Sequence, residues 1–360
     1  MRPKTEAELV EAVAGATGPL LLRGGGTRTL GHAMGEVLET GGLTGVELYE
    51  PGALTLVVRA GTPLAEVDRV LAGERQRLAF EPPDLRGLLG REGVSTIGGV
   101  LAANASGPRR VQAGAARDAA LGVRFVDGTG TVVKNGGRVM KNVTGYDLVK
   151  LLAGSRGVLG VLSEVGFKVQ ALPEAEATLV IEGLSDEAGL KALRVALGSP
   201  FDISGAARHS GRSLIRVEGM AGSVAYRTGQ LRDRMGGEVT VAEGEASAAL
   251  WREVRDVVPL QGKPGEVWRI ATLPTAAAEI VAVLGGEALW DWGGGLIWLL
   301  LDPGRGAEVA AAVAGRGHAT RVLGQGGPVF PPEAPEVAVL AAGLKAKFDP
   351  RGILNAGMMG

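Results

Sequence analysis

Apolar residues recur along this chain at two spacings, and the switches between them mark out its elements. Thr5 and Glu8 have capping-box spacing, and Leu9, Val10 and Val13 follow at helical period, so a helix is predicted there. Leu20-Leu21-Leu22 reads as a short buried strand that runs into Arg23-Gly24-Gly25-Gly26-Thr27-Arg28-Thr29. Residues 54–60 alternate as a strand, and Thr62 as N-cap with Pro63 at the first helical position opens a helix. Ser95-Thr96 can cap a helix carrying Ile97, Val100 and Leu101. Segments 121–126 and 131–133 flank Asp127-Gly128-Thr129-Gly130, a hairpin by its turn residues. A helix over 147–152 and a strand over 161–169 follow.

After Pro173 the order changes. Strands are predicted at 178–182, 202–208, 213–218 and 238–242, with helices at 185–197 and 221–235. That is β-α-β-β-α-β, the ferredoxin-like split unit. It recurs with strands at 267–272, 287–291, 295–301 and 318–323 and helices at 275–284 and 304–314. A helix at 246–257 and the stretch Pro259 to Pro264 join the copies. Two such units can pair edge to edge into one antiparallel sheet with helices on one face. Pro328-Val329-Phe330-Pro331-Pro332 then breaks regular structure before a last helix at 335–347. The fold class is α+β, divided as 1–175, 176–327 and 328–360.

Composition trims the functional classes. The chain has 59 glycines in 360 residues, more than twice the usual share. Residues 1–170 hold 30 of them and the remainder hold 29, so the surplus locates no site. With Arg outnumbering Lys 29 to 9, GC-rich codon usage accounts for part of it. A net charge of −1 offers no global field for nucleic acid or an acidic membrane. Zero cysteine excludes disulfides and thiolate-held iron–sulfur clusters. His32, His209 and His318 are far apart in sequence, so no metal site is expected. A charged N-terminal pattern and apolar runs too short to span a bilayer point to a cytoplasmic protein, peripheral on the inner face of the membrane only through partners.

The familiar nucleotide motifs fail. Six G-x-G triplets occur, but none has glycine three residues on, as the dinucleotide fingerprint requires. The sole Gly-Lys pair, Gly262-Lys263, precedes Pro264, so there is no Walker A loop, and neither H-E-x-x-H nor G-x-S-x-G is present. The 23–29 loop remains. Three glycines after a buried strand let backbone N–H groups converge on phosphate oxygens, with Thr27 and Thr29 adding hydroxyls and Arg23 and Arg28 adding charge. A tight turn between strands explains the same residues. Thr96, Gly98 and Gly99 at a helix start read as a second phosphate-type feature with free N–H groups. The small residues of 102–107 leave room for a flat ring.

Several segments carry a family resemblance: Arg23-Gly24-Gly25-Gly26-Thr27, Ala60-Gly61-Thr62, Ser95-Thr96-Ile97-Gly98-Gly99, Ala103-Asn104-x-x-Gly107, Gly145-Tyr146-Asp147-Leu148, and Gly154-Ser155-x-Gly157-x-Leu159-Gly160. In this order they resemble the FAD-binding domain of the vanillyl-alcohol oxidase / p-cresol methylhydroxylase (PCMH) family. The tail Phe348-Asp349-Pro350-x-Gly352-Ile353-Leu354-Asn355 resembles that family's C-terminal segment. Within the family the chain is most similar to the FAD-binding E subunits of bacterial glycolate oxidases, a likeness supported by Trp268-Arg269-Ile270 and Trp290-Asp291-Trp292-Gly293-Gly294. The resemblance implies a PCMH-type FAD domain with a tandem ferredoxin-like cap. It implies that the backbone of Gly24, Gly25, Gly26 and Thr27 holds the FAD pyrophosphate. It places Pro83, Thr96, Gly98, Gly99, Asn104, Ser106 and Gly107 along the cofactor cleft, Gly160 and Val161 on the following strand, and Asn355 near the flavin from the tail.

Departures from the family matter too. Relatives often attach FAD covalently through His or Cys near the first glycine loop; here that stretch is glycine and threonine, with only His32 nearby, so FAD is expected to be non-covalent. A frequent form of the 154–160 motif has Glu and Thr where this chain has Arg156 and Val158. The histidine-rich substrate signature of related enzymes is missing, and His209 and His318 read as isolated surface residues. A 2-hydroxy-acid dehydrogenase needs a cation for the substrate carboxylate and a group for its proton. Arg269, Tyr146 and Lys141 are the thin candidates; the plainer reading of Arg269 is a surface ion pair. Trp290 and Trp292 are expected to share one strand face and pack in the core. The resemblance thus implies an FAD subunit oxidising a small 2-hydroxy acid of the glycolate or D-lactate class, partnered by a homologous flavoprotein subunit and an iron–sulfur subunit. A non-catalytic FAD-bearing relay or stabilising subunit is the alternative.

Overall fold

A computed structural model describes residues 1–137 and 145–359; Lys141 lies outside the described residues. The first helix, Glu6–Ala14, starts as predicted, with Thr5 Oγ1 accepting from Glu8 N. The buried Leu20–Arg23 strand pairs in parallel with Glu36–Glu39. The tail returns to it: Leu20 N donates to Ile353 O and Asn355 N donates to Leu20 O. Five further strands form a second sheet, in the order Val46–Glu50, Thr55–Arg59, Val161–Lys168, Ala120–Val126 and Val132–Gly136. Its core gathers Leu56, Val58, Phe80, Phe125, Val165 and Phe167 with Ile97, Val100 and Leu101 of the Ile97–Ala102 helix. One start is shifted. The helix predicted from Thr62 begins at Leu64, because Thr62 Oγ1 is drawn back to Gly45 and Arg59 instead of capping.

The predicted tandem repeat is present. Eight antiparallel strands run Glu238–Glu243, Ala175–Glu182, Arg212–Gly219, Ile203–His209, Glu287–Asp291, Leu296–Leu301, Glu266–Thr272, Gly317–Leu323. The two units meet where Arg208 faces Trp290. Four helices, Asp186–Leu197, Ala221–Arg232, Ala277–Leu284 and Gly306–Val313, cover one face through a single core that includes Leu193, Ile215, Trp268, Ile280 and Ile297. The joining helix, Gly244–Arg255, packs on the opposite face, where Trp251, Val267, Leu289 and Trp298 meet Leu30, Leu85 and Leu88 from the first half. Strand alternation decides which side chains reach that second face. Val267 and Arg269 point there, whereas Trp268 and Ile270 point into the helix-side core.

The last helix, Pro335–Phe348, differs from the rest. It buries no residue and exposes Val337, Val339, Leu340 and Leu344.

Candidate functional site

The 24–29 loop rests on the 93–99 segment so closely that side chains are excluded. A Cβ on Gly25 would lie 1.6 Å from Val94 O, and one on Gly98 would lie 2.7 Å from Ala60 O. Gly26 turns the loop at φ +71°, a conformation open to glycine at no steric cost. Among the described residues, no acceptor takes the N–H groups of Gly24 to Thr29. These unspent donors face a cleft lined also by Leu22, Thr40, Thr96, Gly99, Ser155 and Arg156. Unpaired N–H groups converging in a concave wall suit a diphosphate.

The helix at 97 does not add to them. Ile97 N donates to Thr62 O at 3.0 Å, Gly98 N to Ala60 O at 2.8 Å, and Gly99 N to Thr96 Oγ1 at 3.3 Å. The expectation of free N–H groups there is overturned, since the first turn is spent on holding the helix to the neighbouring strand end. Thr96, Gly98 and Gly99 line the cleft as shape.

Gly24, Gly25, Gly26, Thr27, Arg28, Gly160, Val161 and Asn355 also line it. Asn355 is a staple: Oδ1 accepts from Leu22 N at 2.7 Å, and Nδ2 donates to Arg156 O at 2.7 Å. Arg28 is buried, with guanidinium bonds to Ser95 Oγ and Pro83 O, and its Nε lacks a partner. Burial lowers its pKa to about 10, against the fields of Asp84 and Asp256.

The other predicted positions fall outside the cleft lining. Arg23 turns outward to Glu39. Pro83 serves through its carbonyl, under Arg28. Asn104, Ser106 and Gly107 knit a loop: Asn104 Oδ1 accepts from Arg117 N at 3.0 Å, Ser106 Oγ from Ala116 N at 2.9 Å, and Gly107 N donates to Phe80 O at 2.9 Å. Tyr146 is 88% exposed.

Arg269 is not among the cleft-lining residues, and among the described residues it forms no surface ion pair. It sits on the cap face turned toward the first half, opposite Trp298 in register, its guanidinium carbon 5.4 Å from the Trp292 ring centroid and 6.0 Å from that of Trp298. Arg110 approaches the same Trp292 ring at 4.6 Å. Arg156, at the edge of the glycine cleft, stacks on Phe330 at 4.9 Å. Burial first, and then the fields of Arg110 and Arg156, lower Arg269 to about 10. Burial alone lowers Arg156 to about 10. Within the described residues none of the three forms an ion pair.

Trp292 is not on a strand face with Trp290. The strand ends at Asp291, and Trp292 sits in a 3-10 turn at φ +54° followed by Gly293 at φ +66°. Trp290 stays in the helix-side core, while the Trp292 indole N–H crosses to Gly107 O at 3.1 Å. The glycines after Trp292 make this turn rather than a strand. His318, opposite Ala271 in register, shares the face of Arg269; burial and Arg269 lower its pKa. His209 instead lies by Glu287, 3.5 Å away. Sequence reasoning had no signal for Arg110. For Arg156 the signal was its departure from the glutamate common in that motif.

Beside these unpaired arginines lies a paired cluster. Arg109, next in sequence to Arg110, bonds Glu218 through Nε at 3.0 Å and Nη2 at 3.1 Å. Glu218 also meets Arg77 at 2.5 Å, and Glu81 holds Arg216 through two bonds of 2.9 and 2.8 Å. Arg77, Glu81 and Arg109 come from the first half, Arg216 and Glu218 from the cap, so the network latches the two together. Arg216 also lies over Trp251, whose indole donates to Thr178 Oγ1 at 2.7 Å.

A glycine cradle of unspent donors, walled by residues of the first half and of the C-terminal tail, suits a class of protein that binds a dinucleotide cofactor. The sequence pattern of the FAD binding domain matches residues 1–136. The glycolate oxidase subunit GlcE of Escherichia coli (strain K12) is 36% identical over 345 residues, covering 95% of this chain and 92% of that protein. The glycolate oxidase subunit GlcD of Bacillus subtilis (strain 168) is 31% identical over 175 residues, 45% of this chain and 34% of that one. Among solved structures, alkyldihydroxyacetonephosphate synthase superposes over 99% of this chain and 76% of its own, with a TM-score of 0.71 at 16% identity, a likeness of fold. The chain belongs to the FAD-binding flavoprotein family that includes the glycolate oxidase subunit GlcE. Its cofactor is FAD, and the donors of the 24–29 loop fit the diphosphate of that group. Among the described residues no helix is long and apolar enough to cross a membrane.

Proposed function

We propose that this chain is the FAD-bearing subunit of a 2-hydroxy-acid oxidase of the glycolate oxidase type. It would oxidise a CH–OH group to C=O and pass two electrons to a partner subunit or acceptor. The observation that carries the reading is the glycine cradle with unspent N–H donors, set in a chain that matches a glycolate oxidase subunit over nearly its whole length. When bound, FAD supplies the two-electron acceptor for the substrate C–H bond. The chain's own residues would bind the cofactor diphosphate through Gly24 to Thr27 and shape the cleft with Gly98, Gly99 and Gly160, and Arg269, on the cap face beside Trp292, would supply the cation for a substrate carboxylate. No cysteine or histidine stands in the 24–29 loop, and His32 is not among the cleft-lining residues. This supports non-covalent FAD. With no cysteine in the chain, an iron–sulfur acceptor would belong to a partner. The exposed apolar positions of the 335–348 helix are consistent with cover by such a subunit.

One observation favours the relay reading: among the described residues, the cleft lining includes no carboxylate, imidazole or phenol to take the hydroxyl proton. Anaerobic titration with glycolate and D-lactate separates the two. Bleaching of the flavin in the isolated chain supports oxidation by this subunit, and bleaching only after partner subunits are added supports the relay. The cradle has its own test. Gly25→Ala drives a Cβ into Val94 O and is expected to yield protein purified without flavin, while acid precipitation of the unaltered protein releases its FAD into the supernatant.

A further inference from the structure

Three arginines remain that form no ion pair among the described residues, with Asp118 acting on Arg110 only through its field. Arg110 comes from the short Arg110–Ala113 helix, Arg156 from the turn before the Val161–Lys168 strand, and Arg269 from Glu266–Thr272, the next-to-edge strand of the cap sheet. They are drawn from both halves of the molecule, and they meet around Trp292 and Phe330. Like charges in partly desolvated surroundings repel, and burial without a partner is costly for each. Aromatic faces return only part of that cost. This chain places carboxylates where its fold needs neutrality, as Glu81 and Glu218 show a few residues away. Here it places none within ion-pair distance. The nearest acidic field acting on Arg269 is that of Asp291, which accepts a bond from Trp292 N at 2.7 Å and whose carboxyl burial pushes up to about 7.

We infer that Arg110, Arg156 and Arg269 form a binding site for a small organic dianion, a dicarboxylate. One carboxylate would lie between Arg110 and Arg269, which share the Trp292 ring, and the second would reach Arg156 at the edge of the FAD cleft. A monocarboxylate satisfies the first position and leaves Arg156 uncompensated. A guanidinium binds a carboxylate through two parallel N–H bonds, so three of them fix both the distance between the acid groups and their orientation. Resting on the function proposed above, the occupant in turnover would be a 2-hydroxy dicarboxylic acid.

Binding is read without turnover, by isothermal titration calorimetry of the FAD-loaded chain with malonate, succinate and acetate. Malonate or succinate is expected to bind at least tenfold more tightly than acetate, and more weakly as salt rises. Arg156→Gln is expected to remove most of that preference while acetate binding stays within twofold. Arg269→Gln is expected to weaken all three ligands tenfold or more, and the surface variant Arg305→Gln to change none. Arg156→Lys, which keeps the charge and loses the fork, should give an intermediate preference, with flavin content and melting temperature confirming the fold. Equal binding of acetate and dicarboxylates, or a preference untouched by Arg156→Gln, overturns the inference. Its failure is distinct from that of the functional reading. Bleaching by glycolate without dicarboxylate preference sinks this site alone. Dicarboxylate binding without bleaching by any 2-hydroxy acid, partners included, sinks the oxidase reading and leaves the site standing.

Discussion

Arg109 and Arg110 are neighbours in the chain and belong to opposite kinds of cluster. Arg109, with Arg77 and Arg216, is locked to Glu81 and Glu218. Arg110, with Arg156 and Arg269, forms no ion pair among the described residues and lies against aromatic faces. Both groups bridge the same two halves of the molecule, and both are partly desolvated. The difference lies in who provides the negative charge: in one the chain does, and in the other the inferred dicarboxylate would. A paired arginine is thus a structural element, whereas one without a protein carboxylate keeps its N–H fork open to a ligand's.

The largest effect should come from breaking the paired group. Glu218→Ala leaves Arg77, Arg109 and Arg216 sharing Glu81 alone, and loss of one partner from a buried network costs about 3–5 kcal/mol. Denaturant unfolding would measure it; a cost under about 1 kcal/mol would mean the latch is idle.

Acid should act on the same group next. Burial opposes ionisation of Glu81 and Glu218, but Arg216 and Arg109 outweigh it and hold both carboxyls below the ordinary value of 4.5. Their contribution is complete above that value and is lost as pH falls through the depressed folded values. Melting temperature should therefore drop steeply below about pH 4.5, and less steeply in Glu218→Gln, whose starting stability is already reduced.

The unpaired group should respond in the opposite sense. Arg269→Leu removes a desolvated charge with no protein partner, and stability in the absence of ligand is expected to hold or rise by on the order of 1 kcal/mol. A loss of several kcal/mol would show that Arg269 belongs with the structural arginines. The smallest change is Trp292→Phe, which keeps the aromatic platform and deletes the indole bond to Gly107 O. It should cost roughly 1 kcal/mol in the same unfolding measurement.

Much of this was legible in the amino-acid order. Strand and helix periods locate the tandem repeat of the cap because each unit has its own apolar alternation and turn residues. The loop at 24–29 announces itself through three glycines after a buried strand. What stayed hidden is pairing. Nothing local separates Arg109 from Arg110, because their fates depend on Glu218 and Trp292, more than a hundred residues away. Free donors at the 97 helix could not be refused from sequence either, since their acceptors, Thr62 O and Ala60 O, are backbone atoms of another segment. Trp292 was misplaced on a strand because alternation continues through it, while its positive φ ends the strand one residue earlier.

The latch also bears on how such proteins can be recombined. Arg77, Glu81 and Arg109 lie on the first-half side of the seam, and Arg216 and Glu218 on the other. A chimera that keeps this FAD-binding half but takes its cap from a relative would inherit three charges selected for carboxylate and guanidinium groups it no longer has. Cap exchange would then succeed only when the seam residues travel as a set, which makes these five positions the unit of inheritance rather than either half.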